Sequence, residues 1–369
     1  MANPSFSSLH AVADRQAESA DAAASTTPAA EGFAPRPDIN RVLDVPAEVT
    51  DQVRRVFPVQ WPRYYLDLAE QQGPDSAVAR MGRPRLTELV QDQGDIADPI
   101  ADRRQRPVPF VVQKHADRVI ILATKKCHFY CRFCFRREEP VARAMELSRA
   151  DWRCIFDFLR ANPDIKEPIL SGGDPLTLTD EHLAWVRSEL ETIPSVTHWR
   201  IHSRAPVHYP ARVTTGLTAA LQGRLPLRLV CHFNHRDEQT PQSLAAVARL
   251  QAAGVQVENQ AVLLQGVNDS LAAQQALWQG LAAAGVKPRY LHHPDRVAGN
   301  APFRVSIEQG RRLYTAMTQT LDPEQNPRYV IDLPDGTGKI PVAAMERQAD
   351  GTYRYQHPDG RLSVYQDWC

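Results

Sequence analysis

The sequence predicts an α/β protein whose main body is a parallel sheet of the kind found in α/β barrels. Three observations carry this. Short β-branched segments alternate with helical ones over most of the chain, and that alternation implies right-handed crossovers between parallel strands. Several strands end in polar clusters, SGGD (171–174), HSR (202–204) and HFNH (232–235), which places chemistry at the C-terminal edge of the sheet. The length of 369 residues exceeds a usual single core, so one large barrel with an appended domain, or two domains, is expected.

In chain order, residues 1–37 are rich in Ala, Ser, Thr and Pro, as in SADAAASTTPAAEG, and predict a disordered tail. Residues 38–114 hold helical fragments, PAEVTDQVRRVF and RLTELVQ, interrupted by Pro58, Pro62, Pro74 and Pro84, and predict a small helical N-terminal domain. The barrel is expected over 115–345, opening with the strand RVIILAT (118–124) and a helix that begins at Ser148 with the capping box SRAD. EPILSGG, THWRIHS, RLVCHF, VQVENQAVLL and PRYLHH supply further strands. EHLAWVRSEL, SLAAVARLQAAG and SLAAQQALWQGLAAAG are the helices between them. Thr240 before Pro241, and Ser306 before IEQG, mark two more helix starts. Residues 346–369 form a short C-terminal extension.

Lys plus Arg (43) equals Asp plus Glu (43), so no bulk charge recruits nucleic acid or an anionic membrane. No apolar run approaches the roughly 20 residues of a membrane span, and the N-terminus lacks the order of a signal peptide. A cytoplasmic location, where thiols stay reduced, is expected, with small molecules as partners.

The segment KKCHFYCRFCFRR (125–137) carries three of the six cysteines, Cys127, Cys131 and Cys134. A structural zinc site wants four protein ligands, and the scattered Cys154, Cys231 and Cys369 do not suggest a fourth. An iron–sulfur cube is also usually held by four thiolates, so three would leave one iron open to a non-protein ligand. Lys125, Lys126, Arg132, Arg136 and Arg137 surround the triplet, and cationic surroundings favour thiolates. The bland alternative is three buried cysteines acting as small hydrophobes.

Cys-x3-Cys-x2-Cys resembles the motif of the radical S-adenosylmethionine (SAM) enzymes. Together with LSGGDPL (170–176), RIHSRAPV (200–207), HFNH, NQAVLLQGVND (259–269) and DLPDGTGKIPV (332–342), it resembles the lysine 2,3-aminomutase family, which also uses pyridoxal phosphate (PLP). The resemblance spans roughly residues 60–345. It implies a partial (β/α)6 TIM-like barrel of the radical SAM type, a [4Fe-4S] cluster on the three cysteines, and SAM chelated to the open iron.

The same resemblance implies further roles. Ser171, Gly172, Gly173 and Asp174 would receive SAM, the glycines by letting backbone N–H groups approach it and Asp174 by offering a carboxylate to its amine. Lys339, in GTGK, would carry PLP, although Asp335 and Thr337 interrupt the family's run of glycines. Lys114 and Arg118 match positions that reach the PLP phosphate, with Lys114 standing where arginine is the family's form. Arg136 matches the anchor of the substrate carboxylate. Asp295 and Asp332 match the two carboxylates that grip the distal ammonium of lysine, where glutamate-acting relatives carry a cation and an amide. Ser270 stands where clostridial-type relatives have a zinc-ligand cysteine, and a homodimer is expected.

The function implied is an isomerase that moves the α-amino group of L-lysine from C2 to C3, with a one-electron reductant such as flavodoxin or ferredoxin as partner. Arginine or another cationic amino acid is the rival substrate. The β-lysine-forming enzyme that serves elongation factor P shares the scaffold but matches the DLPDGTGK segment weakly. A radical SAM enzyme without PLP, or a non-enzymatic metal-binding or redox-sensor protein, are the alternatives from other classes.

Overall fold

The structure is a computed structural model and describes residues 38–137 and 146–367. The stretch expected to be a disordered tail, and Cys369, lie outside the described residues.

Four short helices come first: α1 (Ile39–Leu43), α2 (Ala47–Val56), α3 (Arg63–Gln72) and α4 (Ala77–Gly82). Local chemistry opens and closes them. Asp38 and Ser76 cap α1 and α4 with side-chain oxygens, and Pro46 and Pro62 stand at the starts of α2 and α3. Gly73 ends α3 at φ +89°, a conformation that favours glycine. RLTELVQ makes a single 3-10 turn, Leu86–Leu89, and no α-helix. Pro84 precedes it, and Glu88 is drawn inward onto Arg132 and Arg137, a tertiary tether that overrides helix propensity.

The sheet then builds in strict order. β1 (Val111–Val112) and β2 (Arg118–Thr124) are followed by α5 (Arg149–Ala161), β3 (Glu167–Gly172), α6 (Asp180–Glu191) and β4 (Trp199–His202). Helices α7 (Ala205–His208) and α8 (Thr215–Leu221) lead to β5 (Leu227–Cys231), α9 (Pro241–Ala252), β6 (Gln256–Val262) and α10 (Leu271–Ala283). β7 (Lys287–His292), α11 (Ile307–Thr320), β8 (Arg328–Asp332) and β9 (Lys339–Pro341) complete it. The nine strands lie in the order β1 to β9. β2 to β8 are parallel, whereas β1 and β9 run antiparallel at the two edges. Six strand-helix units therefore separate β2 from β8, as a partial (β/α)6 barrel requires.

The expected helix starts hold. Ser148, Thr240 and Ser306 each accept a hydrogen bond from the first turn of α5, α9 and α11. Ser270 does the same for α10, which gives it a role independent of any zinc ligand. Parallel strands are covered on both faces, and the side chains of β5 are accordingly almost all buried.

No ladder joins β1 to β9 among the described residues, yet the edges meet. A Cβ on Gly336, just before β9, would stand 3.2 Å from the Cβ of Ala101, before β1. The sheet is thus curled into an open barrel. Helices α1, α3 and α4 contribute Leu43, Tyr65, Leu66 and Val78 to the same hydrophobic core as the barrel, and Pro37–Cys369 form one compact unit. The C-terminal extension is an antiparallel sheet of β10 (Glu346–Arg347), β11 (Thr352–Gln356) and β12 (Leu362–Gln366).

Candidate functional site

The cysteine loop leaves β2 and lies against the end of β3. Gly173 N–H donates to the Thr124 carbonyl and Asp174 N–H to the Lys126 carbonyl, each at 2.7 Å. A Cβ on Gly173 would stand 2.2 Å from the Lys126 carbonyl oxygen, and Gly172 sits at φ +108°, so only glycine lets the two segments touch. The N–H groups of SGGD at 173 and 174 thus tie the loop to the cysteine segment. The Asp174 carboxylate is also committed. It accepts from Leu176 N–H (3.0 Å), the Ser203 hydroxyl (2.7 Å) and Arg204 N–H (2.9 Å), and is buried. Asp174 is a keystone between loops. Ser171 and Gly172 remain beside the cysteine loop, opposite Leu122 and Thr124.

Burial raises all three thiols above their ordinary value, Cys134 to about 11 despite the nearby charges of Arg136 and Arg137. The flanking cations are mostly engaged elsewhere: Lys126 with Glu146 (2.6 Å), Arg132 and Arg137 with Glu88 (2.5 and 2.7 Å), Arg136 with Asp102 (2.6 Å). The cation bonded to a thiol is instead Arg204, whose Nη1 donates to Cys131 Sγ at 2.8 Å. Partly buried thiols of this kind become thiolates when a metal supplies the missing positive charge. Among the described residues no group of three His, Cys, Asp or Glu side chains stands as ligands of one ion. A cube of several irons is wider than an ion, and the donor set of three soft sulfurs suits it.

Across the barrel, β8 and β9 place Asp332 directly opposite Lys339. Lys339 Nζ lies 3.3 Å from both carboxylate oxygens of Asp332. Asp295, beyond the end of β7, is pushed up to about 8 by burial first and by the Asp332 charge second. Lys339 and His292 hold Asp332 below the usual carboxylate range against its burial. The two aspartates therefore feel one another's charge, with the Lys339 side chain against Asp332.

Sequence reasoning missed the polar layer that runs from this pair across the strand ends. His292 Nδ1 is 3.7 Å from Asp332, His292 Nε2 is 3.4 Å from Gln260 Oε1, and Gln260 Nε2 is 2.5 Å from His232 Nε2. His202 follows at 6.4 Å between rings. Burial lowers His202, His232 and His292 below the ordinary imidazole value, so the layer is uncharged at neutral pH. The signal was the recurrence of His or Gln at successive strand ends.

Lys114 and Arg136 converge on a residue that sequence reasoning also missed. Buried Asp102 takes Lys114 Nζ at 2.9 Å and Arg136 Nη1 at 2.6 Å, and these two cations hold its carboxyl below the usual range against burial. Arg118, at the start of β2, pairs with its neighbour Asp117 at 3.2 Å; the structure does not bring it onto Asp102. A cavity of about 350 Å³ opens between the barrel edges, lined by Gln105, Lys114, His115, Gly336, Thr337 and Arg361 among others. Thr337 Oγ1 is buried there, beside the Asp335 carboxylate. Gly336 and Gly338 have φ of +85° and +93°, which the loop before Lys339 requires. Asp335, the departure from an all-glycine run, accepts from Thr337 N–H (2.9 Å) and from the hydroxyl of Ser363 on β12. A cavity walled by Lys114, His115 and Arg361 suits the phosphate of a group such as PLP, while Lys339 lies outside its lining, on Asp332.

No family model matches the chain. Curated relatives do. It is 32% identical to L-lysine 2,3-aminomutase of Bacillus subtilis (strain 168) over 306 residues, 82% of this chain but only 65% of that protein's length. It is 33% identical to L-lysine 2,3-aminomutase of Escherichia coli (strain K12), covering 84% of this chain and 92% of that one. Glutamate 2,3-aminomutase of Clostridioides difficile (strain 630) matches at 32% over 78% of this chain and 68% of its own. Among solved structures, a radical SAM methyltransferase from Sphaerobacter thermophilus covers 60% of this chain and 68% of its own at a TM-score of 0.41 and 18% identity, a distant likeness. With a relative above 30% identity matched over nine-tenths of its length, and the cysteine, glycine and lysine motifs set around one open barrel, this chain belongs to the lysine 2,3-aminomutase family.

Proposed function

We propose that this protein is a radical SAM, PLP-dependent aminomutase that converts L-lysine to β-lysine. Family membership alone does not choose the substrate, because a glutamate 2,3-aminomutase matches about as well. The observation that supports a cationic side chain is the Asp295–Asp332 pair. One of the two carboxylates already holds an alkylammonium, that of Lys339, at 3.3 Å. Two buried carboxylates repel, and a cation between them relieves that cost. An acidic side chain would add to the repulsion.

The remaining roles follow from what each side chain can do. Cys127, Cys131 and Cys134 hold the [4Fe-4S] cluster, and the loop of Ser171, Gly172 and Gly173 borders the position for SAM. Lys339 is the attachment point for PLP, with Lys114 facing the cofactor cavity as a phosphate cation. Arg136, partly buried and on Asp102, offers its planar fork to the substrate carboxylate. When bound, SAM on the cluster supplies a carbon radical that takes hydrogen from an unactivated carbon, and PLP carries the migrating nitrogen. The chain itself orients the amino acid at both ends, beside the uncharged histidine layer and the aromatic rings that pack near the cysteines. A flavodoxin- or ferredoxin-like reductant, a cytoplasmic setting and a homodimer complete the reading. No helix among the described residues is long and apolar enough to cross a membrane.

The test is substrate choice. Protein reconstituted anaerobically with iron, sulfide, SAM and PLP should turn over L-lysine in preference to L-arginine and leave L-glutamate untouched. Loss of one carboxylate from a desolvated pair costs roughly 2 to 5 kcal/mol of binding, so Asp332→Asn and Asp295→Asn should each depress lysine turnover by orders of magnitude. Efficient glutamate turnover, or full lysine turnover in both variants, would refute the assignment.

A further inference from the structure

This inference rests on the reading of Cys131 as a cluster ligand. We propose that Arg204 and Glu238 form a buried charge pair that sets the reduction potential of the cluster through the sulfur of Cys131. The guanidinium favours the reduced, more negative cluster, and the carboxylate moderates that effect.

The geometry is fully specified. Arg204 follows β4, and its own N–H donates to Asp174 while its Nε donates to the His232 carbonyl at 3.0 Å. With the side chain pinned at that end, Nη1 reaches Cys131 Sγ at 2.8 Å, and Nη2 reaches Glu238 Oε1 at 2.5 Å and the Tyr65 hydroxyl at 3.2 Å. Glu238 cannot swing away. Its Oε2 accepts from Asn234 and His235 N–H at 2.6 and 3.1 Å, and Tyr65 donates to its Oε1 at 2.5 Å. The side chains of Arg204 and Glu238 are 7% and 0% exposed, and the guanidinium lies 5.4 to 5.8 Å from the rings of Phe129, Phe133 and Tyr65.

Three physical consequences make this more than packing. An arginine cannot surrender its proton to the sulfur, so its charge is permanent. In a dry aromatic enclosure that charge is poorly screened. Hydrogen bonds to cluster sulfurs and the net charge around them are levers on iron–sulfur potentials. Cys131 carries a charged side-chain donor in Arg204, whereas Lys126, Arg132, Arg136 and Arg137 pair with Glu146, Glu88 and Asp102. The asymmetry predicts opposite signs for the two members of the pair.

The experiment reconstitutes the full chain anaerobically, measures iron and sulfide content, and then titrates the cluster potential by electron paramagnetic resonance without SAM. Glu238→Gln should raise the potential and Arg204→Met should lower it. Each should shift the reduced-to-oxidised ratio by about tenfold, which is about 59 mV for a one-electron couple. Arg204→Lys keeps a charge but not the fork, and should fall between wild type and Arg204→Met. If Arg204→Met assembles no cluster, the opposite shifts of Arg204→Lys and Glu238→Gln decide the matter. Shifts of the same sign, an unchanged potential in the surviving clusters, or loss of iron in Arg204→Lys and Glu238→Gln alike would leave only a folding role and overturn the proposal. A wild type that takes up no iron refutes the cluster reading itself.

Discussion

Asp295 offers a test in which one substitution should strengthen the fold and weaken the function. Its carboxyl is held at about 8, from an ordinary value of 3.8, chiefly by burial and then by the charge of Asp332. At low pH the folded and unfolded chains both carry the proton, and the site costs nothing. As pH rises past the ordinary carboxylate value the unfolded chain releases its proton while the folded chain keeps it. Stability then falls by about 1.4 kcal/mol per pH unit until the folded group titrates near 8, beyond which the loss levels off. At pH 7 this amounts to at most about 4 kcal/mol, and about 2 to 4 kcal/mol once relaxation around the pair is allowed for. Asparagine has nearly the shape of the protonated acid and no charge to bury. Asp295→Asn should therefore stabilise the cofactor-free protein by that amount at pH 7, by more at pH 8, and by only about 1 to 2 kcal/mol at pH 5. Urea unfolding of both proteins at pH 5, 6, 7 and 8 measures the gap. A gap that does not widen with pH, or a variant less stable than wild type at pH 8, would refute the reasoning.

Three further outcomes are expected. Borohydride reduction in the presence of PLP should place the label on the peptide carrying Lys339, as mass mapping would read; a label on Lys287 would mean that the wrong lysine has been assigned. Cys127→Ala, Cys131→Ala and Cys134→Ala should each abolish iron uptake in an anaerobic iron assay, whereas exposed Cys154 should be replaceable without loss. Glu88→Ala strips the shared carboxylate from two buried guanidiniums, those of Arg132 and Arg137, and should cost about 3 to 5 kcal/mol in denaturant unfolding.

The parallel sheet is legible in the sequence because its signals are local. RVIILAT and EPILSGG are runs that form β2 and most of β3 in the structure, and the serine and threonine caps of α5, α9 and α11 need only the next turn. The antiparallel pair β11 and β12 is written as plainly, in the alternation of TYRYQ and LSVYQ around HPDG, and only its shortness hid it. The cysteine triplet and the GTGK loop stand out in the sequence by spacing, whereas Asp295 and Asp332 are singled out only through the resemblance. What no window of sequence contains is the choice of ion-pair partner. Arg136 meets Asp102 from 34 positions away, and Arg204 meets Cys131 from 73 positions away, because the curl of the barrel brings distant loops to one rim. For the same reason the bracing of Asp174 is not legible: Ser203 and Arg204 reach it only after β3 and β4 lie side by side.

The central claim is that the amine of a cationic amino acid moves between adjacent carbons. Nitrogen-15-labelled L-lysine, labelled at the α-amine and incubated with the reconstituted, reduced enzyme, tests it directly by nuclear magnetic resonance of the product. The account predicts β-lysine with the labelled nitrogen on C3 and the original ammonium untouched at the far end. Label remaining on C2, with SAM consumed to 5′-deoxyadenosine and no rearranged product, would contradict it.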